Sequence, residues 1–234
     1  MDPIRNPSAP GAGSPPPELV GRGPIIDQAK VALSRAKLGR SATSMMVVGL
    51  RGVGKTVLLN RIQQIAETDG YIAELLEVPE GRSLAALLAP ALRRVIIRLD
   101  REEKINHLAR KAFRVLRSFA SAVKVRHGDF EFSLDGESEL GVADNGDLEN
   151  DVPQLLLAVG EAAQARSTAV ALIVDELQYL REGEMSALIV AMHKLSQRQL
   201  PLLLIGAGLP QLVGLTGRPS LIRRGCLTFL KQAP

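Results

Sequence analysis

Cysteine is almost absent from this sequence of 234 residues, in which Cys226 is the only one. A single cysteine excludes an internal disulfide and is typical of a reducing compartment, so we expect a cytoplasmic protein. Long apolar runs are also missing: residues 200–215 are interrupted by Pro201, Pro210 and Gln211, whereas a membrane-spanning helix needs roughly 18 apolar residues. We therefore expect no membrane span. We expect no secretory signal either, because no apolar segment follows a basic start.

Proline is concentrated at the start of the sequence. Six of the 14 prolines precede Glu18, among glycine, serine and alanine. Such a composition cannot bury enough apolar surface to offset the entropy of ordering, so residues 1–17 are predicted to be a disordered tail. The chain as a whole is 46% apolar, which is enough for a buried core. We assign residues 18–217 to one domain and residues 218–234 to an atypical tail.

Charge is distributed unevenly along the middle of the chain. Residues 93–126 contain eleven Lys or Arg and three acidic residues, whereas residues 129–151 contain nine acidic residues and no Lys or Arg. Basic helices in this insert, at about 91–151, are candidates for binding nucleic acid or protein. The alternatives are a solvated helical face and an acidic segment that folds against it. Phe113 and Phe119 have the spacing of core residues, so no platform for stacking bases is predicted.

Strand and helix patterns alternate along the domain. The apolar runs at 169–174 and 202–205 show no polar alternation, which is typical of strands buried on both faces of a parallel sheet. Strands that alternate with helices predict an α/β fold, with a parallel sheet and helices on both of its faces. Strands are predicted at 45–48, 71–78, 169–174 and 202–205, with a short one at 130–134, and helices at 84–99, 105–119, 155–165 and 184–199.

A glycine-rich segment joins the first strand to the first periodic helix after it. Gly49-Leu-Arg-Gly-Val-Gly-Lys-Thr56 matches the P-loop pattern G-x-x-x-x-G-K-[ST]. Its glycines can turn backbone N–H groups toward phosphate oxygens, and the helix that follows directs its positive end at the same anion. Lys55 would reach the β- and γ-phosphates, and the Thr56 hydroxyl would ligate Mg²⁺. The alternative is an ordinary glycine-rich turn. The predicted nucleotide contacts are Gly49, Leu50, Arg51, Gly52, Val53, Gly54, Lys55, Thr56 and Val57.

Two carboxylates follow the apolar run at 169–174. In open α/β sheets, ligands bind at the carboxyl ends of the strands, where Asp175 and Glu176 are expected. Asp175 would hold Mg²⁺ directly or through a water, and Glu176 would act as the general base that activates the attacking water. An Asp-Glu pair favours NTPases with an extra strand between the P-loop strand and the Mg²⁺ strand. Because the sequence has no N-K-x-D guanine motif, we expect ATP rather than GTP.

Four segments together resemble a known family. "ELVGR" at 18–22, "VVGLRGVGKT", "ALIVDELQYL" and "LPLLLIGAGLPQL" resemble AAA-type P-loop ATPases related to origin-recognition and STAND proteins, over roughly residues 18–217. The resemblance implies an ASCE-type parallel sheet and an ATP-binding, Mg²⁺-dependent ATPase that serves as a regulator or assembly ATPase. It also implies that Val20, Gly21 and Arg22 lie near the adenine.

The resemblance further implies a homo-oligomer in which a neighbouring subunit supplies an arginine. Arg218, Arg223 and Arg224 lie in the expected region. A protein client or DNA would be its partner. The alternative to an ATPase is a non-catalytic module that binds nucleic acid or protein through the basic helices.

The chain departs from the family pattern in two places. Relatives carry a polar sensor residue at the end of the fourth strand, where this chain has Gly206-Ala207-Gly208. They continue with a fifth strand and a helical lid, and we expect both to be missing here and hydrolysis to be impaired. Relatives are expected to continue here with a sequence such as Lys-Ser-Tyr-Thr-Glu-Arg-Leu. One choice of codons for these seven residues encodes residues 220–226 of this chain when it is read one base later. One hypothesis is therefore an out-of-frame tail, and the alternative is a naturally short terminus.

Overall fold

The computed structural model of the protein describes residues 22–100, 107–123, 141–212 and 227–231. The predicted tail at 1–17, the predicted strand at 130–134 and the segment 220–226 lie outside these ranges. The helices of the described part are α1 (Gly23–Lys37), α2 (Lys55–Thr68), α3 (Leu84–Asp100), α4 (His107–Ala122), α5 (Leu148–Ala165) and α6 (Glu182–Gln197). The strands are β1 (Ser44–Val48), β2 (Tyr71–Glu77), β3 (Ala169–Asp175), β4 (Leu202–Gly208) and β5 (Leu227–Lys231).

The five strands form one parallel sheet in the order β2-β3-β4-β1-β5. Strand β4 lies between β1, which precedes the glycine-rich loop, and β3, which ends in Asp175. The extra strand that the Asp-Glu pair predicts is therefore present. Parallel pairing also brings the carboxyl ends of all these strands to the same edge of the sheet.

Helices cover both faces of the sheet and form two apolar cores. On one face, Val47 and Ile205 pack with α1 and α2. On the other face, Met46 and Leu204 pack with helices α3 to α6. Every residue of β1, β3 and β4 is buried, because successive side chains of a strand point to opposite faces and each face is covered. The predicted α/β fold with helices on both faces is confirmed.

The prediction that the fifth strand is missing is wrong. Strand β5 pairs in parallel with β1, from Ser44 opposite Leu227 to Val48 opposite Lys231. The segment mixes Thr228 and Lys231 with apolar residues, so it lacks the continuous apolar run by which the short strand β1 is predicted. Strand β1 nevertheless needs hydrogen-bond partners for its backbone on the side away from β4, and β5 supplies them. The absence of the helical lid and the shifted reading frame remain predictions.

Helix α4, in the basic insert, is well packed against the rest of the domain. Helix α4 contacts α3 and α5, and Phe119 is fully buried in this contact region.

Helix α5 begins earlier than predicted, at Leu148. Its early start is explained by Asp147, whose carboxylate accepts a hydrogen bond from Glu149 N at 3.1 Å and caps the helix.

Glu184 joins the beginnings of two helices that are far apart in the sequence. Its buried carboxylate accepts a hydrogen bond from Leu84 N at 2.8 Å, at the first residue of α3. The other carboxylate oxygen accepts one from Arg181 N at 3.0 Å, directly before α6. Backbone N–H groups at the start of a helix have no partner within the helix, so Glu184 satisfies one at each of the two helices.

Replacement of Glu184 by alanine should lower the free energy of unfolding by about 2–4 kcal/mol, because two N–H groups lose their acceptor and a buried side chain is removed. Urea denaturation of purified variants measures the change. Glu182→Ala is the matched control, since Glu182 lies exposed in the same first turn of α6, and it should change stability by less than about 0.5 kcal/mol. Equal losses in the two variants would contradict the bridging role.

Candidate functional site

The loop between β1 and α2 opens onto the N-terminus of a helix. Gly52 and Gly54 have φ angles of 77° and 81°, in the left-handed region that glycine adopts at little cost. Gly54 directly precedes α2, a helix of 14 residues. Gly49 has no positive φ, and its N–H donates to Gly208 O at 3.2 Å, which joins the start of the loop to the end of β4. Two of the three loop glycines thus have the special dihedrals that the pattern predicts.

The ammonium group of Lys55 lies within this loop. Its Nζ donates hydrogen bonds to Gly49 O at 3.2 Å and to Leu50 O at 2.9 Å. The residue is only 6% exposed, and among the described residues no carboxylate lies within ion-pair distance of Nζ. A buried cation with only neutral partners is costly in water-excluding surroundings. The loop therefore provides an electrostatic environment that favours an anion.

A direct hydrogen bond joins the loop motif to the Asp-Glu motif. Thr56 Oγ1, in the first turn of α2, donates to Asp175 Oδ2 at 2.6 Å. Asp175 is the last residue of β3 and is 3% exposed. Its other oxygen accepts a hydrogen bond from Glu176 N at 2.8 Å. The two motifs that the sequence predicts to work together are in contact.

Glu176 lies where β3 ends, with φ 57° and ψ 38° in the left-handed region. A short 3₁₀ turn, Leu177–Tyr179, follows it. The half-buried carboxylate of Glu176 accepts a hydrogen bond from the side-chain amide of Gln178. Gln178 also accepts a hydrogen bond from Leu209 N at 3.2 Å, just beyond β4.

A second contact connects the 3₁₀ turn with the loop. Arg51 Nη2 donates to the Tyr179 hydroxyl at 3.2 Å. Arg51 is exposed, as are Leu50, Gly52 and Thr56, so this side of the loop is open to a ligand. Gln178 and Tyr179 were not among the predicted site residues. The only sequence signal for them is their position, two and three residues after Glu176.

Arg22 contacts the backbone of the glycine-rich loop. Its guanidinium donates to Gly54 O at 3.2 Å through Nη1, and to Val53 O through Nη2. The other two residues predicted near the adenine, Val20 and Gly21, lie outside the described residues. The adenine contact therefore remains a prediction, and the observed role of Arg22 is to hold the backbone at the end of the loop.

A family model for the AAA ATPase domain matches residues 18–205 of the chain. The chain belongs to the AAA ATPase domain family. The AAA fold is a nucleotide-binding P-loop fold, and the matched range contains the loop at Gly49–Val57 together with Asp175 and Glu176. This membership confirms the family resemblance of the sequence and its assignment as a nucleotide-binding ATPase domain.

Solved structures agree with this AAA fold. Cdc6p from Pyrobaculum aerophilum matches with a TM-score of 0.53 and 15% sequence identity, over 96% of this chain and 48% of that one. The ORC2 protein from Aeropyrum pernix, solved as ADPNP–ADP complexes, matches with a TM-score of 0.52 and 13% identity, over 95% and 50%. The AAA chain therefore spans about half the length of these proteins. At such identities the likeness shows the fold alone.

Two further observations concern the AAA chain. A search of curated proteins found no significant match. Within the described ranges, no helix is both long and apolar enough to cross a membrane.

Proposed function

We propose that this AAA ATPase domain binds ATP with Mg²⁺ and hydrolyses it to ADP and phosphate. The observation that carries the proposal is the 2.6 Å hydrogen bond between Thr56 and Asp175, which joins two motifs 119 residues apart. A nucleotide complex is also described for the similarly folded ORC2 protein of Aeropyrum pernix.

The first step is binding of the phosphates by the loop. Gly52 and Gly54 hold the turn, the N-terminus of α2 faces it, and the buried Lys55 ammonium lies inside it. Backbone N–H groups and a helix N-terminus favour a negatively charged ligand. Lys55 would exchange its two carbonyl partners for the more negative oxygens of the β- and γ-phosphates.

The residues for a metal ion also fit. The Thr56 hydroxyl and the Asp175 carboxylate are hard oxygen donors, the kind that Mg²⁺ prefers, and they lie next to each other beside the loop. These two residues would hold the ion, Asp175 directly or through a water. When bound, Mg²⁺ neutralises negative charge on the phosphate oxygens.

Glu176 would complete the reaction as the general base. It lies directly after Asp175 at the carboxyl edge of the sheet, and its carboxylate is half-buried rather than fully solvated. Glu176 would take a proton from the attacking water as the water oxygen bonds to the γ-phosphorus and ADP leaves. A carboxylate one residue after Asp175 would lie within reach of a water on that side of the γ-phosphate.

We infer that this cycle controls assembly of identical subunits or binding of a protein client or DNA. Leu50 is 61% exposed and Arg51 is exposed too, so a second subunit has access to the loop. Three arginines were predicted as candidates that one subunit would supply to the site of its neighbour. They lie outside the described residues: Arg218, Arg223 and Arg224. The single cysteine favours the cytoplasm as the compartment.

A second candidate function is the binding of nucleic acid by α4. Arg110, Arg114 and Arg117 recur at helical spacing on the side of α4 opposite its buried residues, where Arg110 is exposed and the other two are half-buried. The helix contains no acidic residue. Lys111 lies beside this row and pairs with Glu161 at 3.6 Å. A row of guanidinium groups on one helix face suits the regularly spaced phosphates of a nucleic acid.

Replacement of Lys55 by alanine should weaken ATP binding by about 10- to 100-fold, because a hydrogen bond to a charged group contributes about 1.5–3 kcal/mol. Calorimetric titration with a non-hydrolysable ATP analogue measures the affinity, and thermal unfolding checks that the variant is folded. Lys30→Ala is the control, since Lys30 is exposed and pairs with Asp27 at 3.5 Å, away from the loop. Unchanged affinity in folded Lys55→Ala would contradict phosphate binding by the loop.

Replacement of Glu176 by glutamine should lower ATP turnover by about 10²- to 10⁴-fold, because the general base is lost while the size of the side chain is kept. The affinity for ATP should stay within about threefold of the wild type, since the loop is intact. Phosphate release measures turnover, and chelation of Mg²⁺ should also abolish it. Glu182→Gln, an exposed change on α6, serves as the control. Turnover that survives in Glu176→Gln would exclude this role.

Changing Arg110, Arg114 and Arg117 together to glutamine should weaken binding to a fluorescent DNA duplex. The slope of log affinity against log salt should become shallower by about 2–3, because each phosphate contact contributes about 0.9. Fluorescence anisotropy at several salt concentrations measures the slope. A triple change of the exposed Arg40, Arg61 and Arg82 removes the same charge elsewhere. An equal effect of the two triple changes would contradict a specific role of α4.

A further inference from the structure

The side-chain amide of Gln178 is held at both of its ends. Its Nε2 donates to the carboxylate of Glu176, and its Oε1 accepts from Leu209 N at 3.2 Å. Because a carboxylate can only accept and a backbone N–H can only donate, both partners require the same orientation of the amide. Gln178 therefore connects Glu176, directly after β3, to Leu209, directly after β4.

The end of β4 is shaped to admit this side chain. A Cβ atom added at Gly208 would overlap the side chain of Leu212 and would also lie 2.8 Å from Gln178 Oε1. One added at Gly206 would overlap the side chain of Leu177. Contacts this short would force these side chains to move. The two glycines thus leave space at the end of β4 for Leu212 and for two consecutive residues of the 3₁₀ turn.

Glu176 needs such support because it lies directly after β3, beyond the last residue of that strand that pairs with β2. A general base must lie within hydrogen-bond distance of the proton that it removes, and a displacement of about 1 Å can lower the rate about 100-fold. Gln178 is the side chain that the structure records as a hydrogen-bond donor to the Glu176 carboxylate. The bond to Leu209 N prevents this donor from moving independently of β4.

We propose that Gln178 is a positioning residue, whose amide orients the Glu176 carboxylate for the attacking water by anchoring it to the end of β4. This inference rests on the proposed ATPase function, in which Glu176 is the general base. One carboxylate oxygen bonds to the amide, and the carboxylate keeps acceptor capacity for a water proton on its other oxygen. Gln178 acts through Glu176, so its loss should affect catalysis and not the binding of ATP.

The test compares Gln178→Met with the wild type in steady-state ATP hydrolysis. Methionine has a similar length and cannot donate the hydrogen bond, so kcat should fall by about 10- to 100-fold while KM stays within about threefold. Gln178→Glu provides a second variant: it retains an acceptor for Leu209 N but lacks the amide donor, so kcat should fall again. Gln197→Met, an exposed change at the end of α6, controls for the new methionine.

A double-mutant cycle then separates positioning from general destabilisation. In the Glu176→Gln background, Gln178→Met should lower kcat less than twofold further, because the group that it positions has already lost its role. A further loss as large as in the wild type would overturn the inference. A normal kcat in Gln178→Met, measured beside a Glu176→Gln variant that has lost turnover, would also overturn the inference. No turnover in the wild type, or unchanged turnover in Glu176→Gln, would overturn the proposed function and this inference with it.

Discussion

Parallel pairing of β1, β4 and β3 is the constraint on which the candidate site depends. It brings the end of β1, with its glycine-rich loop, and the end of β3, with Asp175, to the same edge of the sheet. One strand separates the two, and the first turn of α2 spans this gap, so that Thr56 reaches Asp175 at 2.6 Å. If either strand ran in the opposite direction, the two motifs would lie at opposite edges.

The 3₁₀ turn after β3 connects the parts of this edge to one another. Each of its three residues contacts a different neighbour: Leu177 packs against the end of β4 near Gly206, Gln178 joins Glu176 to Leu209 N, and Tyr179 accepts a hydrogen bond from Arg51 of the loop. A change in the position of the loop or of β4 would therefore act on the backbone that carries Glu176.

Helix α3, whose later turns enter the insert, is held beside α6 by a buried carboxylate. Glu184 accepts hydrogen bonds from Leu84 N, at the first residue of α3, and from Arg181 N, directly before α6. Helix α4, with its row of arginines, packs against α3 and α5. The insert is therefore joined to the domain through α3, which begins beside α6.

Some features of this protein follow from short stretches of sequence. Glycines, lysine and threonine at fixed spacing predict the loop, and the continuous apolar runs at 169–174 and 202–205 predict strands buried on both faces. Each of these signals is local, because it depends on the conformation of neighbouring residues and on which faces are covered. The adjacent Asp175 and Glu176 even predicted that one more strand lies between β1 and β3.

Other features were decided by the tertiary structure. Strand β5 pairs with the edge of β1 that faces away from β4, and its five residues lack a continuous apolar run. Arg22 meets the loop from 31 residues away, Gln178 meets Leu209 N from 31 residues away, and Glu184 meets Leu84 N from 100 residues away. The sequence determined which residues are the candidates for binding phosphate and metal. Only the order of the strands decided which distant groups would hold them in place, because a hydrogen bond depends on distances that no local periodicity encodes.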